Sequence, residues 1–283
     1  MRKVITCIDG SVFADDVCNA GIWAAKRLAS PLLFLHTVQK EKWADSLEYA
    51  GASGMKDREE LLNEVVQLEA KRHKLVLQLA TDMLKEAEAK AAEQQCENVS
   101  RSVREGALVE VLDTLEPEAS LFVVGRSGET YDKSFSALGS QIEHLVRQVQ
   151  TPLLIANKDF TPPQSFMLAY DGRKTTDSIV DRIISSSLLN GMDCHLVTVR
   201  TIRPQQQEKF KTAERRLQDS GFNVIPVWLE GDIFTALMAY QKNNDVGMLV
   251  MGAFGGSKIR QVFMGSNTMK VMENTALPLL VVR

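Results

Sequence analysis

The sequence predicts an α/β fold made of two repeated halves, each a five-stranded parallel sheet with flanking helices. The first observation is length, because 283 residues fit two domains of about 140 residues better than one. The second is that short, almost continuously apolar runs alternate with helical patterns, which is typical of parallel strands buried on both faces. The third is an internal repeat.

The two halves share motifs in the same order and at nearly constant offsets. KVITCIDGS near the N-terminus corresponds to SFMLAYDGR at mid-chain, and both apolar runs end in Asp-Gly. Gly106 and Gly231 are 125 residues apart, and Pro152 and Pro278 are 126 apart. Ordered matches at such similar offsets indicate a duplicated unit.

We predict a first domain over residues 1–158 and a second over 159–283. Pro162 and Pro163 mark the boundary, because neither a helix nor a central strand continues through them. The aspartates that end the two first runs are 162 residues apart, so the first half carries about 37 extra residues. We place this helical insertion near 41–97.

The alternating patterns assign each element in order. In the first half they predict strands over 3–9, 32–38, 98–104, 120–125 and 152–156, and helices over 12–29, 107–116 and 138–149. In the second half they predict strands over 165–171, 193–199, 223–229, 247–252 and 278–282, and helices over 174–190, 204–219, 232–242 and 266–274.

The insertion contains a segment, residues 55–95, without proline or glycine. Its leucines and valines recur near helical spacing with Glu and Lys between them, so we predict one long helix or a helix with a break. Two interpretations remain open. The helix packs on its own domain and overhangs its edge, or it mediates dimer contacts.

Composition excludes several classes of protein. A net charge of −3 offers no basic excess for nucleic acid or acidic membranes, and no apolar run approaches the length of a membrane span. The N-terminus lacks the features of a signal peptide. The four cysteines have no CxxC or regular spacing, so we expect reduced thiols in a cytoplasmic protein.

The most informative segment is the glycine-rich loop of the second half. Gly252, Gly255, Gly265 and Ser266 follow an apolar strand and precede a helix. Glycines let the main chain approach a phosphate, and the free amides, dipole and serine hydroxyl at the helix start face an anion. The alternative is a glycine-rich turn in which Ser266 only caps the helix. Lys258 and Arg260 either neutralise phosphate or form a solvated face.

The pattern G-x2-G-x9-G-S, between a strand and a helix that leads to a Pro-headed last strand, resembles the ATP-binding universal stress protein family. The resemblance covers both halves, as in tandem members. It implies an adenine nucleotide α-hydrolase-like fold, often paired through the last strands as a homodimer or, in a tandem chain, between the two halves.

The resemblance also implies roles for particular residues. Asp171 lies near the ribose and metal-bound phosphates, the main chain at Val199 holds adenine, and Gly252, Gly255, Gly265 and Ser266 hold the triphosphate. The first-half residues that match are Asp9, Thr37, Gly125, Gly128, Gly139 and Ser140. The implied ligand is ATP, with Mg²⁺. Alternatively, each aspartate merely caps the turn that follows it.

The halves depart from the family pattern in different ways. Ten residues instead of nine separate Gly128 from Gly139, and Arg173 stands where serine is common. A valine at Gly252 or Gly265 is expected to block phosphate binding and leave folding intact.

Other catalytic and metal motifs are absent from the sequence. There is no GxxxxGK[ST] loop, no GxSxG elbow and no metal-ligand spacing. His36 and His195 are expected to be core or edge residues. The leading function is therefore a nucleotide-dependent stress sensor or regulator, a weak ATPase at most. The alternatives are an adenylate-handling enzyme and a dimeric scaffold that binds a protein or small ligand other than a nucleotide.

Overall fold

The computed structural model describes residues 1–39, 55–126, 140–199, 204–252 and 266–283. All ten predicted strands are present: β1 (Lys3–Cys7), β2 (Leu32–Val38), β3 (Val99–Glu105), β4 (Ala119–Gly125), β5 (Leu153–Ala156), β6 (Ser165–Ala169), β7 (Asp193–Val199), β8 (Asn223–Leu229), β9 (Met248–Gly252) and β10 (Leu279–Val282). The helices are α1 (Ala14–Leu28), α2 (Met55–Glu93), α3 (Leu108–Leu115), α4 (Ser140–Gln148), α5 (Lys174–Ser185), α6 (Pro204–Asp219), α7 (Ile233–Asn243) and α8 (Ser266–Asn274).

The ten strands form one sheet in the order β3-β2-β1-β4-β5-β10-β9-β6-β7-β8. Neighbouring strands within each half run parallel, as predicted. The halves join through β5 and β10, which pair antiparallel with Leu154 beside Leu280. Of the two predicted pairing modes, the structure shows the one between the halves, and the homodimer stays a prediction.

Helices cover both faces of the sheet. One apolar core includes Cys18 of α1 and Leu84 of α2, and it continues through α5 and α6 of the second half. The other core includes Leu145 of α4 and Met272 of α8, together with residues of α3 and α7. The strands are thus buried on both faces, which explains their nearly continuous apolar sequences. In the part of the chain described, no helix combines the length and apolar character that a membrane span requires.

Two arginines that directly follow strands cross the junction between the halves. Arg126, just after β4, is 8% exposed and donates to the main-chain oxygens of Thr275 at 2.5 Å and Met272 at 2.6 Å. Arg283, just after β10, donates to the main-chain oxygen of Val146 at 2.9 Å. Each half therefore supplies a cation to the carboxyl end of a helix in the other half, where the helix dipole favours positive charge.

The elements differ from their predicted bounds mainly at α5. The predicted helix runs to residue 190, but Ser186 adopts an extended conformation and ends α5 at Ser185. Leu188 and Leu189 instead turn into the core, where they are 4% and 2% exposed. The main-chain oxygen of Leu188 accepts a hydrogen bond from Arg27 Nε at 3.0 Å, so tertiary contacts override the helical pattern here.

Candidate functional site

Each half has a crevice where its strand order reverses. In the first half, the chain after β1 turns through α1 to β2 on one side, and β4 lies on the other side of β1. The second half repeats this arrangement at β6 and β9. Ligands of open α/β sheets bind outside the carboxyl ends of the strands at such points. Both crevices are therefore candidate sites.

The first crevice brings together three predicted residues. Cys7 of β1 lies beside Leu35 of β2 in the parallel register. Asp9 and Thr37 each follow that pair by two residues, so they leave the same edge of the sheet on neighbouring strands. Gly125, the last residue of β4, ends on the other side of β1. These three predicted residues therefore lie around one crevice.

The second crevice repeats this register. Ala169 of β6 lies beside Val197 of β7, and Asp171 and Val199 each follow that pair by two residues. Gly252 ends β9 on the other side of β6. The two crevices are thus structurally equivalent, as the sequence repeat predicts. The equivalent pairs are Asp9 and Asp171, Thr37 and Val199, and Gly125 and Gly252.

Both aspartates bond the turns that follow them. Ser11 donates its main-chain N–H to Asp9 Oδ1 at 3.1 Å. Asp171 Oδ1 accepts from the main-chain N–H of Arg173 at 3.0 Å and from the Thr176 hydroxyl at 3.0 Å. The capping role that was one of the two predictions is present in both halves. The role in nucleotide binding stays a prediction.

The second aspartate also carries an ion pair. Arg173 Nε lies 3.3 Å from Asp171 Oδ2, and their side chains are 75% and 50% exposed. An ion pair this exposed contributes little stability, so the guanidinium can exchange its carboxylate partner for another anion at small cost. The first half has Ser11 at the position equivalent to Arg173.

Lys209 was not predicted from the sequence. It reaches from α6 and donates from Nζ to the main-chain oxygen of Gly172 at 2.7 Å. Gly172 has φ +72°, and its missing side chain faces Lys209 and Gln206 of the same helix. Lys209 lies far along the chain from Asp171, and one lysine on an amphipathic helix gives no sequence signal. With Arg173, it places two cations around the second aspartate.

Tyr170, the residue before Asp171, is held in place by α5 and α6. It is buried, donates its hydroxyl to Asp177 Oδ1 at 2.6 Å and packs edge-on to Phe210 of α6. Burial, and next the hydrogen bond to Asp177, raises the pKa of the Tyr170 phenol, so it remains a neutral donor. The residue before Asp171 is therefore held firmly between α5 and α6.

The phosphate-loop residues are only partly described. Six of the loop residues named above lie outside the described residues: Gly128, Gly139, Gly255, Lys258, Arg260 and Gly265. Ser140 and Ser266 are the first described residues of α4 and α8. The predicted roles of the loop glycines and of both serine hydroxyls in phosphate binding stay predictions.

Gly252 has a packing role besides any role in binding. A Cβ at this position would lie 2.9 Å from Cδ1 of Ile179 on α5. A valine would press on that side chain and disturb the core. Contrary to the expectation from the sequence, we expect valine at Gly252 to disturb folding as well. This substitution therefore does not separate an effect on phosphate binding from an effect on packing.

The histidines occupy the structural positions expected of them. His36 Nδ1 lies 2.7 Å from the main-chain oxygen of Ile8 and ties β2 to the chain just before Asp9. His195 is buried in β7, and its Nδ1 lies 2.8 Å from the Tyr240 hydroxyl. Burial lowers the pKa of His195. Within the described residues, no cluster of three or more His, Cys, Asp or Glu side chains forms a metal site.

The duplicated, doubly wound halves with equivalent crevices define a tandem α/β protein with a mostly parallel sheet. A model described as the universal stress protein family matches residues 1–157 and 197–283. The chain belongs to that family.

Known proteins agree with this assignment. The universal stress protein Slr1230 of Synechocystis sp. is 31% identical over 287 residues, covering 100% of each chain. The crystal structure of a universal stress protein from Archaeoglobus fulgidus has a TM-score of 0.67 at 14% identity and covers 99% of this chain and 98% of its own. A structure from Pseudomonas aeruginosa has a TM-score of 0.63 at 13% identity, with coverage of 100% and 93%. The two structures show that the fold is shared along the whole chain.

Proposed function

We propose that the protein binds ATP at the two crevices and acts as a nucleotide-dependent sensor or regulator in the stress response. The observation that most supports this is their equivalence: Asp9 and Thr37 leave the first sheet edge in the same register as Asp171 and Val199 leave the second. A duplicated ligand site is the simplest reason for a repeat to preserve these positions. The family resemblance supplies the ligand class.

The groups around each crevice fit a nucleoside triphosphate. The edge holds main-chain donors and acceptors at Thr37 and Val199 for a base. The first amide groups of α4 and α8, the helices that follow β4 and β9, have no partners within their helices and suit phosphate. Mg²⁺ is commonly held by one or two carboxylates together with substrate phosphates, a role that suits Asp9 and Asp171. Arg173 and Lys209 add positive charge to the second site, so we expect it to bind ATP more tightly.

Turnover should be slow. Among the described crevice residues, no side chain is placed as a general base for water, since the aspartates already accept hydrogen bonds from their own turns. The bound nucleotide then sets conformation or partner affinity, and the protein is a weak ATPase at most. Four free cysteines, none of them fully exposed, support a reducing, cytoplasmic setting.

Titration calorimetry with Mg-ATP on single-site variants tests the proposal. Wild type should bind two nucleotides per chain, Asp9→Ala and Asp171→Ala one each, and the double variant none. Asp193→Ala is the matched control, because Asp193 begins β7 at the opposite edge of the sheet. No ATP binding by wild type, or unchanged stoichiometry in the double variant, would overturn the proposal.

A further inference from the structure

Helix α2 has a stripe of leucines that are exposed among the residues the structure describes. Its carboxyl-terminal half packs into the core through Leu84, Ala87 and Ala91, and Ala80 one turn before them is also buried. Leu68, Leu75 and Leu79 are 60%, 53% and 70% exposed. Leu79 directly precedes Ala80, so it lies about 100° around the helix from the buried stripe. The exposed leucines therefore belong to a second face.

The second face has the spacing of a helix–helix seam. Val65, Leu68, Arg72, Leu75 and Leu79 follow one another at intervals of three and four residues, as a and d positions of a heptad repeat do. A helix that only packs on its own domain needs one apolar stripe. The seam over residues 65–79 is therefore suited to another helix.

The strands that the family resemblance implies for pairing between chains are already used. β5 and β10 pair with each other inside the chain. A second copy must therefore contact a different surface, and the exposed leucines of the α2 seam can face those of a second α2 across a twofold axis. We propose that two copies associate through antiparallel α2 helices, with Leu68 of one copy against the partner's Leu79 and Leu75 beside the partner's Arg72.

The charges beside the seam select this orientation. In the antiparallel register Glu64 faces the partner's Lys85, and the twofold axis repeats the pair on the other side. Both side chains are exposed, and Lys85 Nζ lies 2.8 Å from the Asp82 carboxylate one turn away on the same helix. A parallel dimer would bring Glu64 near the partner's Glu69. Like charges therefore disfavour the parallel arrangement.

The test is sedimentation equilibrium of the full chain across a concentration series, because a seam about 21 Å long should give a reversible dimer. Wild type should show a monomer–dimer equilibrium, and Leu68→Lys should weaken it at least tenfold. Val66→Lys is the matched control, since Val66 is 61% exposed on the same helix but lies off the seam. Circular dichroism should confirm that both variants fold.

Charge reversal tests the orientation separately. Glu64→Lys or Lys85→Glu alone should weaken the dimer, and the two together in one chain should restore it. A protein that is monomeric throughout the series would overturn the proposal. So would a dimer unaffected by Leu68→Lys, or equally weakened by Val66→Lys. Failure of the double reversal to restore association would exclude the antiparallel register.

Discussion

Replacing Arg126 by methionine should weaken the junction between the two halves. Its guanidinium donates to three main-chain oxygens at the carboxyl end of α8, those of Met272, Glu273 and Thr275, at 2.5 to 2.6 Å. Such oxygens lack partners within the helix. Methionine fills similar space without donating, so these buried acceptors would lose their partner.

The expected loss follows from these contacts. A hydrogen bond involving a charged group contributes about 1.5–3 kcal/mol, and a cation at a helix carboxyl end about 0.3–2 kcal/mol. Burial opposes the charge, as the lowered pKa of Arg126 shows, so removing the charge returns part of the energy. The net decrease in the free energy of unfolding should be about 3 kcal/mol.

Guanidinium and thermal unfolding followed by circular dichroism measure this change. A loss of this size should lower the melting midpoint by about 6–12 °C. Arg147→Met is the control, because Arg147 pairs with Glu143 on the surface of α4, and its loss should change stability by less than about 0.5 kcal/mol. If Arg126→Met were as stable as the control, the crossed contacts would not hold the halves together.

Three further predictions concern the cores. Gly21→Ala would place Cβ 2.2 Å from the buried Thr6 Oγ1 and should destabilise the protein by about 2–3 kcal/mol. Adding Thr6→Ala removes the hydroxyl and methyl groups but keeps Cβ, 2.9 Å away, so it should recover part of the loss in a double-mutant cycle. Additive losses would contradict the contact. Burial lowers the folded-state pKa of His195 from 6.5. Its contribution to the free energy of unfolding should therefore be complete above pH 6.5 and be lost as the pH falls through the folded-state pKa. For His195→Gln, the free energy of unfolding should fall less steeply with decreasing pH, and an unchanged slope would exclude this role. Burial raises the pKa of Cys18 to about 12. Iodoacetamide at pH 8 should therefore label native Cys18 far more slowly than Cys96, as peptide mass analysis can measure. Equal labelling rates would show that the Cys18 thiol is accessible.

The strands were predictable because parallel strands buried on two faces have a strong local signature. Runs such as LFVV and MLVM match β4 and β9, and every predicted strand is present within two residues of its expected start. The long helix was predictable for a similar reason, since residues 55–95 contain no breaker. The exact boundary at 158/159 stays a prediction.

Contacts between distant parts of the chain were not predictable in this way. The pairing of β5 with β10 depends on two edges that are equally apolar, so the sequence left intramolecular pairing and a homodimer both open. Arg126 and Lys209 act through main-chain oxygens, which any residue supplies. Their partners therefore leave no pattern in the sequence.

The positions of four candidate site residues at the strand ends were predictable. Asp9, Thr37, Asp171 and Val199 reach the expected edges because strand register follows from the apolar runs. The second function of Gly252, room for Ile179, depends on how α5 crosses β9, which a sequence motif does not specify.

Photo-crosslinking with 8-azido-ATP tests the central claim most directly, because it reports where the adenine lies. We predict that label appears in peptides containing Thr37 or Val199, and that excess unlabelled ATP suppresses it. Absence of specific labelling, or labelling confined to peptides from the opposite edge such as the one around Asp193, would contradict nucleotide binding at the two crevices.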